Sequence, residues 1–285
     1  MSTYQQIVLA SRPKGSAVTP DNFRLERKTV PAISEGQLLV RNHFLSLDPY
    51  MRMRMEDVKS YAAPQALDEV MIGGTAGEVI ESKHPKFKVG DKVVGMLGWS
   101  EMGVSDGTLL KEVDTRDIPL SAYLGAVGMP GMTAWYGLNQ IIQPKAGQTI
   151  AVTAASGAVG SVLGQLAKHN GCRVLGIAGG KDKCRYVIDE LGFDACIDYK
   201  QHADAVSLSR ALHTACPSGI DGHFENVGGK VLDAVMLRTN AFARIAVCGM
   251  IAGYDGAPLH MAYPALILVN RLKVEGFIVS VHMEF

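Results

Sequence analysis

The stretch Ile150-Ala151-Val152-Thr153-Ala154-Ala155-Ser156-Gly157-Ala158-Val159-Gly160-Ser161 decides the fold of the second half of the chain. It predicts a buried strand, a turn of small residues and then a helix. Gly157 permits the backbone to approach a phosphate closely, and Gly160 permits tight packing of the helix on the strand. Because amides at a helix N-terminus attract anions, the turn predicts a dinucleotide-phosphate loop. Ala155 stands where the usual fingerprint has its first glycine, and a tight turn that binds nothing is the alternative.

Apolar strand-length runs alternate with amphipathic helical stretches from about residue 121 onward. Such alternation is typical of a parallel sheet that is covered by helices on both faces. The predicted strands cover residues 149–153, 173–177, 195–197, 222–224, 243–247 and 274–278. The predicted helices cover residues 124–142, 158–169, 183–191, 203–215 and 231–237. The first helix ends before Pro144, because proline cannot continue a helix.

The first part of the chain has a different pattern. Short apolar runs at residues 37–45, 77–80 and 92–97 are separated by glycine, proline and aspartate, which favours strands joined by turns. We therefore predict an α/β protein with two domains. A compact, mostly β domain covers residues 1–123, and a doubly wound parallel-sheet domain covers residues 124–285.

The run Met51-Arg52-Met53-Arg54-Met55 alternates apolar and basic residues. This period favours an alternating segment whose methionines face inward and whose arginines face outward. The alternative is that the flexible methionines line an adaptable apolar pocket.

The strand after the glycine-containing helix ends in Ala178-Gly179-Gly180, and Lys181 and Lys183 follow it. An NAD site usually has an acidic residue at this strand end, where it bonds the ribose 2′-hydroxyl. Glycine followed by cations instead favours the 2′-phosphate of NADP. Lys183 is the first candidate for that contact, with Lys181 and Tyr199 in support. Solvated surface lysines without a ligand are the alternative.

The composition excludes several classes of protein. Of the 285 residues, 28 are lysine or arginine and 28 are aspartate or glutamate, so neither nucleic acid nor an anionic membrane is an expected partner. No apolar run reaches the ~18 residues that a membrane-spanning helix needs, and the N-terminus lacks a signal-peptide pattern. The five cysteines contain no Cys-x-x-Cys pair, which favours a reducing compartment, and we expect a cytoplasmic protein.

The sequence predicts no metal site. A catalytic zinc centre needs cysteine, histidine and carboxylate ligands that converge on one point. No cysteine precedes Cys172, and His43 and His84 have no ligand partners nearby in the sequence.

Several motifs, taken together, resemble one superfamily. They are Leu47-Asp48-Pro49-Tyr50-Met51-Arg52, Gly73-Gly74-Thr75, Val89-Gly90-Asp91-Lys92-Val93, residues 128–137, residues 154–160, Ile197-Asp198-Tyr199-Lys200, Phe224-Glu225-Asn226-Val227-Gly228-Gly229 and Cys248-Gly249. On these motifs, which span most of the chain, the sequence resembles the medium-chain dehydrogenase/reductase superfamily. Within it, the sequence is similar to the zinc-independent leukotriene B4 dehydrogenase/prostaglandin reductase and curcumin reductase group.

This resemblance implies a GroES-like β domain followed by a Rossmann domain, and a homodimer. It implies that NADPH is the cofactor and that the carbon–carbon double bond of α,β-unsaturated ketones and aldehydes is reduced. The residues implied to bind the dinucleotide are Gly157, Ala158, Val159, Lys183, Tyr199 and Asn226, beside Gly180 at the strand end. Those implied to lie near the nicotinamide are Met129, Thr133, Cys248, Phe277, Ile278 and Val279. Those implied to face the substrate are Tyr50, Tyr61 and Tyr254.

The resemblance also bears on the last residues. Relatives continue beyond the position of Phe285 with a segment that returns to the first domain. We therefore expect residues 281–285 to pack differently from their counterparts in a full-length relative.

The implied chemistry needs no metal. Hydride that adds to the β-carbon of an enone places charge on an enolate oxygen, which then needs a hydrogen-bond donor. Tyr254 and Tyr61 are the candidates, beside a cofactor ribose hydroxyl, although tyrosines also pack at domain edges without such a role. Asn226 follows a strand and is either a cofactor ligand or a turn residue. Two other functions remain open: an NADPH:quinone oxidoreductase, and a catalytically weak NADPH-binding protein.

Overall fold

The structure is a computed structural model that describes residues 2–282. These residues form two compact units. Unit 1 comprises residues 2–128 and Tyr254–Gly256, and unit 2 comprises Met129–Gly253 and residues 257–282. The domain boundary after residue 123 stays a prediction. The expected packing of the last residues falls in part on residues 283–285, which lie outside the described residues.

Unit 1 is built mainly of antiparallel strands. Its elements are β1 (Thr3–Leu9), β2 (Phe23–Thr29), β3 (Leu38–Leu45), α1 (Tyr50–Arg54), β4 (Thr75–Ser82), β5 (Lys92–Gly95), β6 (Met102–Ser105) and β7 (Lys111–Glu112). Strands β1 and β2 pair with each other, and the remaining strands form a sheet in the order β6-β3-β4-β5-β7. Leu38, Val40, Val79 and Val93 project from this sheet into one core. The predicted β character of this part is therefore confirmed.

The predicted alternation of residues 51–55 is wrong, because this segment is helical. Met51 and Met55 lie four residues apart, which places them on one face of α1, and both are buried against Leu9 and Met71. Arg52 does not face outward as predicted, since only 10% of its side chain is exposed. It donates a hydrogen bond to the carbonyl oxygen of Ser16, 2.9 Å away.

Unit 2 contains a parallel sheet flanked by helices. Its strands are β8 (Thr149–Thr153), β9 (Arg173–Ala178), β10 (Ala195–Asp198), β11 (Ile220–Glu225), β12 (Thr239–Val247) and β13 (Lys273–Gly276). Its α-helices are α2 (Met129–Tyr136), α3 (Ala158–His169), α4 (Lys181–Asp189), α5 (Ala205–Ala215), α6 (Gly229–Met236) and α7 (Ala265–Val269). The strand order is β10-β9-β8-β11-β12-β13, and every neighbouring pair is parallel. The predicted doubly wound α/β fold is confirmed.

Strand β8 lies at the centre of this sheet, and its side chains pack into the cores on both faces of the sheet. Ile150 and Val152 contact Leu163 of α3 in one core, whereas Ala151 belongs to the core on the opposite face with Leu208 of α5. A strand that is covered on both faces carries consecutive apolar residues. This is why the run before the glycine turn shows no alternation with polar residues.

The predicted helix over residues 124–142 begins later than expected. Residues Leu120–Leu124 form a short 3-10 helix, and α2 starts only at Met129. The turn between them depends on Gly128, because a Cβ there would lie 2.1 Å from the carbonyl oxygen of Tyr123. The helix then continues as a π-helix over Gly137–Ile142, so it ends before Pro144 as predicted.

We predict that Gly160→Ala destabilises unit 2. A Cβ at Gly160 would lie 2.4 Å from the carbonyl oxygen of Ala154 and 3.0 Å from the Cα of Ala155, so α3 would have to move away from the end of β8. Overpacking of this kind costs about 1–3 kcal/mol of unfolding free energy, measured as a lower midpoint in urea. Gly276→Ala is the matched control, because a Cβ there meets nothing within 4 Å. Equal midpoints for the two variants would contradict the tight contact.

Candidate active site

The residues predicted to bind the cofactor follow the carboxyl ends of the parallel strands of unit 2. Ligands of doubly wound sheets bind at this edge. Gly157, Ala158 and Val159 follow β8, and Gly180 and Lys183 follow β9. The same edge carries Tyr199 after β10, Asn226 after β11, Cys248 after β12, and Phe277 and Ile278 after β13. The sheet topology therefore places residues that are far apart in sequence along one line.

The turn after β8 has the geometry of a phosphate cradle. Gly157 is the N-cap of α3 and offers no side-chain cap, so the first amides of the helix are available to an anion. The Gly157 amide bonds the carbonyl oxygen of Ala154 at 2.8 Å, which tightens the turn. The close approach of Gly160 to the same carbonyl keeps the start of α3 against the strand. These features fit a dinucleotide pyrophosphate.

Alanine is acceptable at position 155, where the usual fingerprint has glycine. The positive φ of the turn falls on Ala154, at 49°, and not on Ala155. The Ala155 amide donates a hydrogen bond to the carbonyl oxygen of Ile177, 3.2 Å away, and its methyl group is fully buried. The departure from the fingerprint therefore changes a packing contact and leaves the backbone of the cradle intact.

The turn after β9 brings basic and aromatic side chains together. Gly180 is the N-cap of α4 and adopts φ 105°, a conformation that favours glycine. Its amide donates to Asp198 Oδ1 at 2.8 Å, and this bond is the main reason that the pKa of Asp198 is lowered. A Cβ at Gly179 would lie 3.0 Å from Lys200 Cε and 3.2 Å from the Tyr199 hydroxyl oxygen. Lys183 is exposed on the first turn of α4.

Asn226 is tied to the strand that carries the cradle. Its backbone amide donates to Thr153 Oγ1 at 2.7 Å, and its side-chain Nδ2 donates to the carbonyl oxygen of Thr153 at 2.8 Å. Thr153 is the last residue of β8. The segment after β11 and the segment after β8 are therefore held in a fixed relation.

A cavity of about 440 Å³ lies at the ends of β12 and β13. Cys248, Phe277 and Ile278, all predicted to lie near the nicotinamide, line it together with Gly249. Burial raises the pKa of the Cys248 thiol to about 12, so this group stays protonated at neutral pH. Val279 does not line this cavity and is buried, with Phe277, in the core that surrounds β8.

Met129 and Thr133 lie on α2, one turn apart. The Thr133 hydroxyl donates to the carbonyl oxygen of Met129 at 2.8 Å, and Thr133 is buried while Met129 is partly exposed. Their predicted place beside the nicotinamide stays a prediction.

The three candidate substrate tyrosines all belong to unit 1. Burial raises the pKa of Tyr50 to about 12, and the charges of Asp48 and Tyr61 add to the increase. Tyr50 therefore keeps its hydroxyl hydrogen well above neutral pH. Tyr254 lies in the loop Tyr254–Gly256, where Asp255 forms an ion pair with Arg52 at 3.2 Å.

Within residues 2–282, no group of three or more His, Cys, Asp or Glu side chains is arranged to hold a metal ion. The helices of this part of the chain are all too short or too polar to cross a membrane.

Known proteins match the chain over almost its whole length. Residues 5–113 match a family described as the N-terminal domain of oxidoreductase, and residues 158–285 match the zinc-binding dehydrogenase family. An NADPH-dependent curcumin reductase of Escherichia coli (strain K12) is 48% identical over 282 residues, which is 96% of this chain and 79% of the relative. A 2-alkenal reductase (NADP(+)-dependent) of Nicotiana tabacum is 43% identical over 270 residues, 94% of this chain and 77% of the relative.

A solved structure extends the similarity to the fold. The crystal structure of CurA in complex with NADPH from Vibrio vulnificus superposes with a TM-score of 0.88 at 48% identity, covering 96% of this chain and 82% of the other. The chain therefore belongs to the medium-chain dehydrogenase/reductase superfamily, in the group that contains the curcumin, 2-alkenal and prostaglandin reductases. The resemblance seen in the motifs is confirmed.

The sequence indicated no role for three further residues, Lys200 at this edge and His223 and Glu225 in β11. Lys200 lies over Gly179, and only its position next to Tyr199 in a shared motif could have indicated this. His223 and Glu225 lie in β11, at the centre of the sheet, and both are fully buried. A buried ionisable pair in a central strand was the available signal.

Proposed function

We propose that this chain is an enzyme that uses NADPH to reduce the carbon–carbon double bond of α,β-unsaturated ketones and aldehydes, without zinc. The observation that carries the proposal is the cradle after β8, whose open amides and tight Gly160 contact fit a pyrophosphate. The names of relatives more than 40% identical, a curcumin reductase and a 2-alkenal reductase, support the substrate class. The absence of cysteine before Cys172 supports a mechanism without a zinc centre.

In the proposed mechanism, bound NADPH would supply the hydride that adds to the β-carbon, and a proton from solvent or from a tyrosine hydroxyl would complete the α-carbon. The residues of the chain bind and orient the dinucleotide. The first amides of α3 bind the pyrophosphate, and Lys183 and Tyr199 bind the 2′-phosphate. Asn226 and the cavity beside Cys248 hold the nicotinamide end. Tyr254 or Tyr61 donates a hydrogen bond to the carbonyl oxygen of the substrate. That bond strengthens as the oxygen gains enolate charge, which favours the transition state over the ground state.

The same proposal includes a cytoplasmic homodimer. The sheet of unit 2 ends at β13 within the described residues, and the apolar side chains of Leu268, Val269 and Val274 nearby are exposed. Exposed apolar surface of this kind supports association of two copies. Light scattering should give twice the mass of the chain, and a monomer at micromolar concentration would contradict it.

Lys183→Ala should raise the KM for NADPH and leave that for NADH unchanged. A charge-assisted hydrogen bond to the 2′-phosphate is worth about 1.5–3 kcal/mol, so we expect an increase of about tenfold or more. Lys145→Ala is the control, because Lys145 is an exposed lysine just before β8, at the opposite end of the sheet. Equal changes for the two cofactors would remove Lys183 from the 2′-phosphate site.

Removal of the enolate donor should lower kcat/KM. We expect Tyr254→Phe to reduce kcat/KM for an enone by about a hundredfold, the scale for loss of one such donor. Tyr61→Phe tests the second candidate in the same way, and Tyr4→Phe, on β1, is the control. An unchanged kcat/KM would exclude the tyrosine concerned from the mechanism.

The function itself is tested by following nicotinamide absorbance with NADPH and with NADH. The substrates are a conjugated enone, the corresponding saturated ketone and a quinone. We expect rapid loss of NADPH with the enone alone, and the saturated ketone as product. Turnover of the quinone alone would favour a quinone oxidoreductase, and binding of NADPH without turnover would favour a binding protein.

A further inference from the structure

A buried ion pair lies in the central strand β11. His223 and Glu225 are two residues apart, so they face the same side of the sheet, and neither has exposed surface. His223 Nε2 lies 2.9 Å from Glu225 Oε2, and its Nδ1 lies 3.0 Å from the carbonyl oxygen of Ala151 on β8. A buried pair of this kind is costly to break, because the remaining partner loses its compensation.

The hydrogen bonds fix the number of protons that the pair holds. The carbonyl oxygen of Ala151 can only accept, so Nδ1 of His223 carries a hydrogen. The contact between Nε2 and Glu225 Oε2 needs a second hydrogen, so the pair holds one proton more than a neutral imidazole and a carboxylate. Burial raises the pKa of Glu225, but the His223 bond and the loop amides lower it by more. The lowered pKa favours the carboxylate form of Glu225.

The Glu225 carboxylate organises the loop that follows it. Its Oε1 accepts hydrogen bonds from the amides of Val227 and Gly228 and from the Thr153 hydroxyl. The same hydroxyl oxygen receives the Asn226 amide. Gly228 is the N-cap of α6, where a negative charge is favoured by the helix dipole. The conformation of the loop thus depends on Oε1 of Glu225 as an acceptor, and His223 holds this side chain in place through Oε2.

We propose that His223 is a positioning residue for the cofactor. Through Glu225 it fixes the loop 226–228, and so the placement of Asn226 against NADPH, while its contact with Ala151 ties that loop to the strand that carries the pyrophosphate cradle. His223 is wholly enclosed and acts through Glu225, not by contact with the ligand. The inference rests on the proposed use of NADPH.

The test compares three variants by titration with NADPH and by thermal unfolding. His223→Phe leaves the carboxylate without its buried partner, and we expect the Kd for NADPH to rise about tenfold, as for loss of a charge-assisted bond. Glu225→Gln keeps an acceptor for the loop amides and gives a donor to a neutral His223, so its Kd should stay within about threefold. Ile245→Ala is the control, because Ile245 pairs with His223 in the neighbouring strand β12 and is equally buried.

Ile245→Ala should lower the melting temperature and leave the Kd unchanged. A Kd for His223→Phe equal to that of the wild type, or a rise as large in Ile245→Ala, would overturn the positioning role. Loss of binding in Glu225→Gln as large as in His223→Phe would overturn the hydrogen-bond argument.

Amide hydrogen exchange without NADPH gives an independent readout. We expect residues 226–229 to exchange faster in His223→Phe and not in Glu225→Gln, and equal exchange in all variants would contradict the inference. A wild-type protein that binds no NADPH would instead overturn the proposed function, and this inference with it. If the wild type binds and His223→Phe binds equally well, the inference alone fails.

Discussion

The close contact between the start of α3 and the end of β8 is the constraint on which the rest of unit 2 depends. A helix can approach a strand this closely only where no Cβ intervenes, and Gly160 provides that place beside the carbonyl oxygen of Ala154. The contact aims the amides after Gly157 along the carboxyl edge of the sheet. An anion-binding helix end and the central position of β8 are consequences of the same geometry.

The parallel sheet then determines which other residues can act together. The residues that follow the strands lie at one edge of the sheet, so Lys183, Asn226 and Cys248 share that edge although they are far apart in the chain. The two parts of this edge differ in charge and polarity. Lysines and Tyr199 follow β9 and β10, whereas an apolar cavity lies after β12 and β13. NADPH has a phosphorylated adenosine end and an uncharged dihydronicotinamide end, which matches this division.

Much of this arrangement could be predicted from the sequence, because it depends on local patterns. The bounds of β8 and α3 agree with the structure residue for residue, since an apolar run, a small-residue turn and an amphipathic helix follow one another directly. The run Met51–Met55 was misinterpreted, because a segment of five residues is too short to separate the two patterns. Methionines at positions 51 and 55 fit both a strand-like alternation and one face of a helix. The late start of α2 depends on the close approach of Gly128 to the carbonyl oxygen of Tyr123, which the spacing of apolar residues does not predict.

Long-range contacts explain what the sequence could not provide. The position of Lys200 over Gly179, and the link from Ala151 through His223 and Glu225 to the loop after β11, arise from sheet register between segments far apart in the chain. Local motifs predicted which residues reach the edge of the sheet. They did not indicate what holds those residues in place.

The central claim, hydride addition to the β-carbon of an enone, is tested most directly with NADPH that carries deuterium at the transferable C4 position. Mass spectrometry and NMR of the product should show one deuterium on the carbon β to the carbonyl group, with the carbonyl intact. Deuterium on the carbonyl carbon, or an alkene that remains unreduced while the cofactor is consumed, would contradict the account.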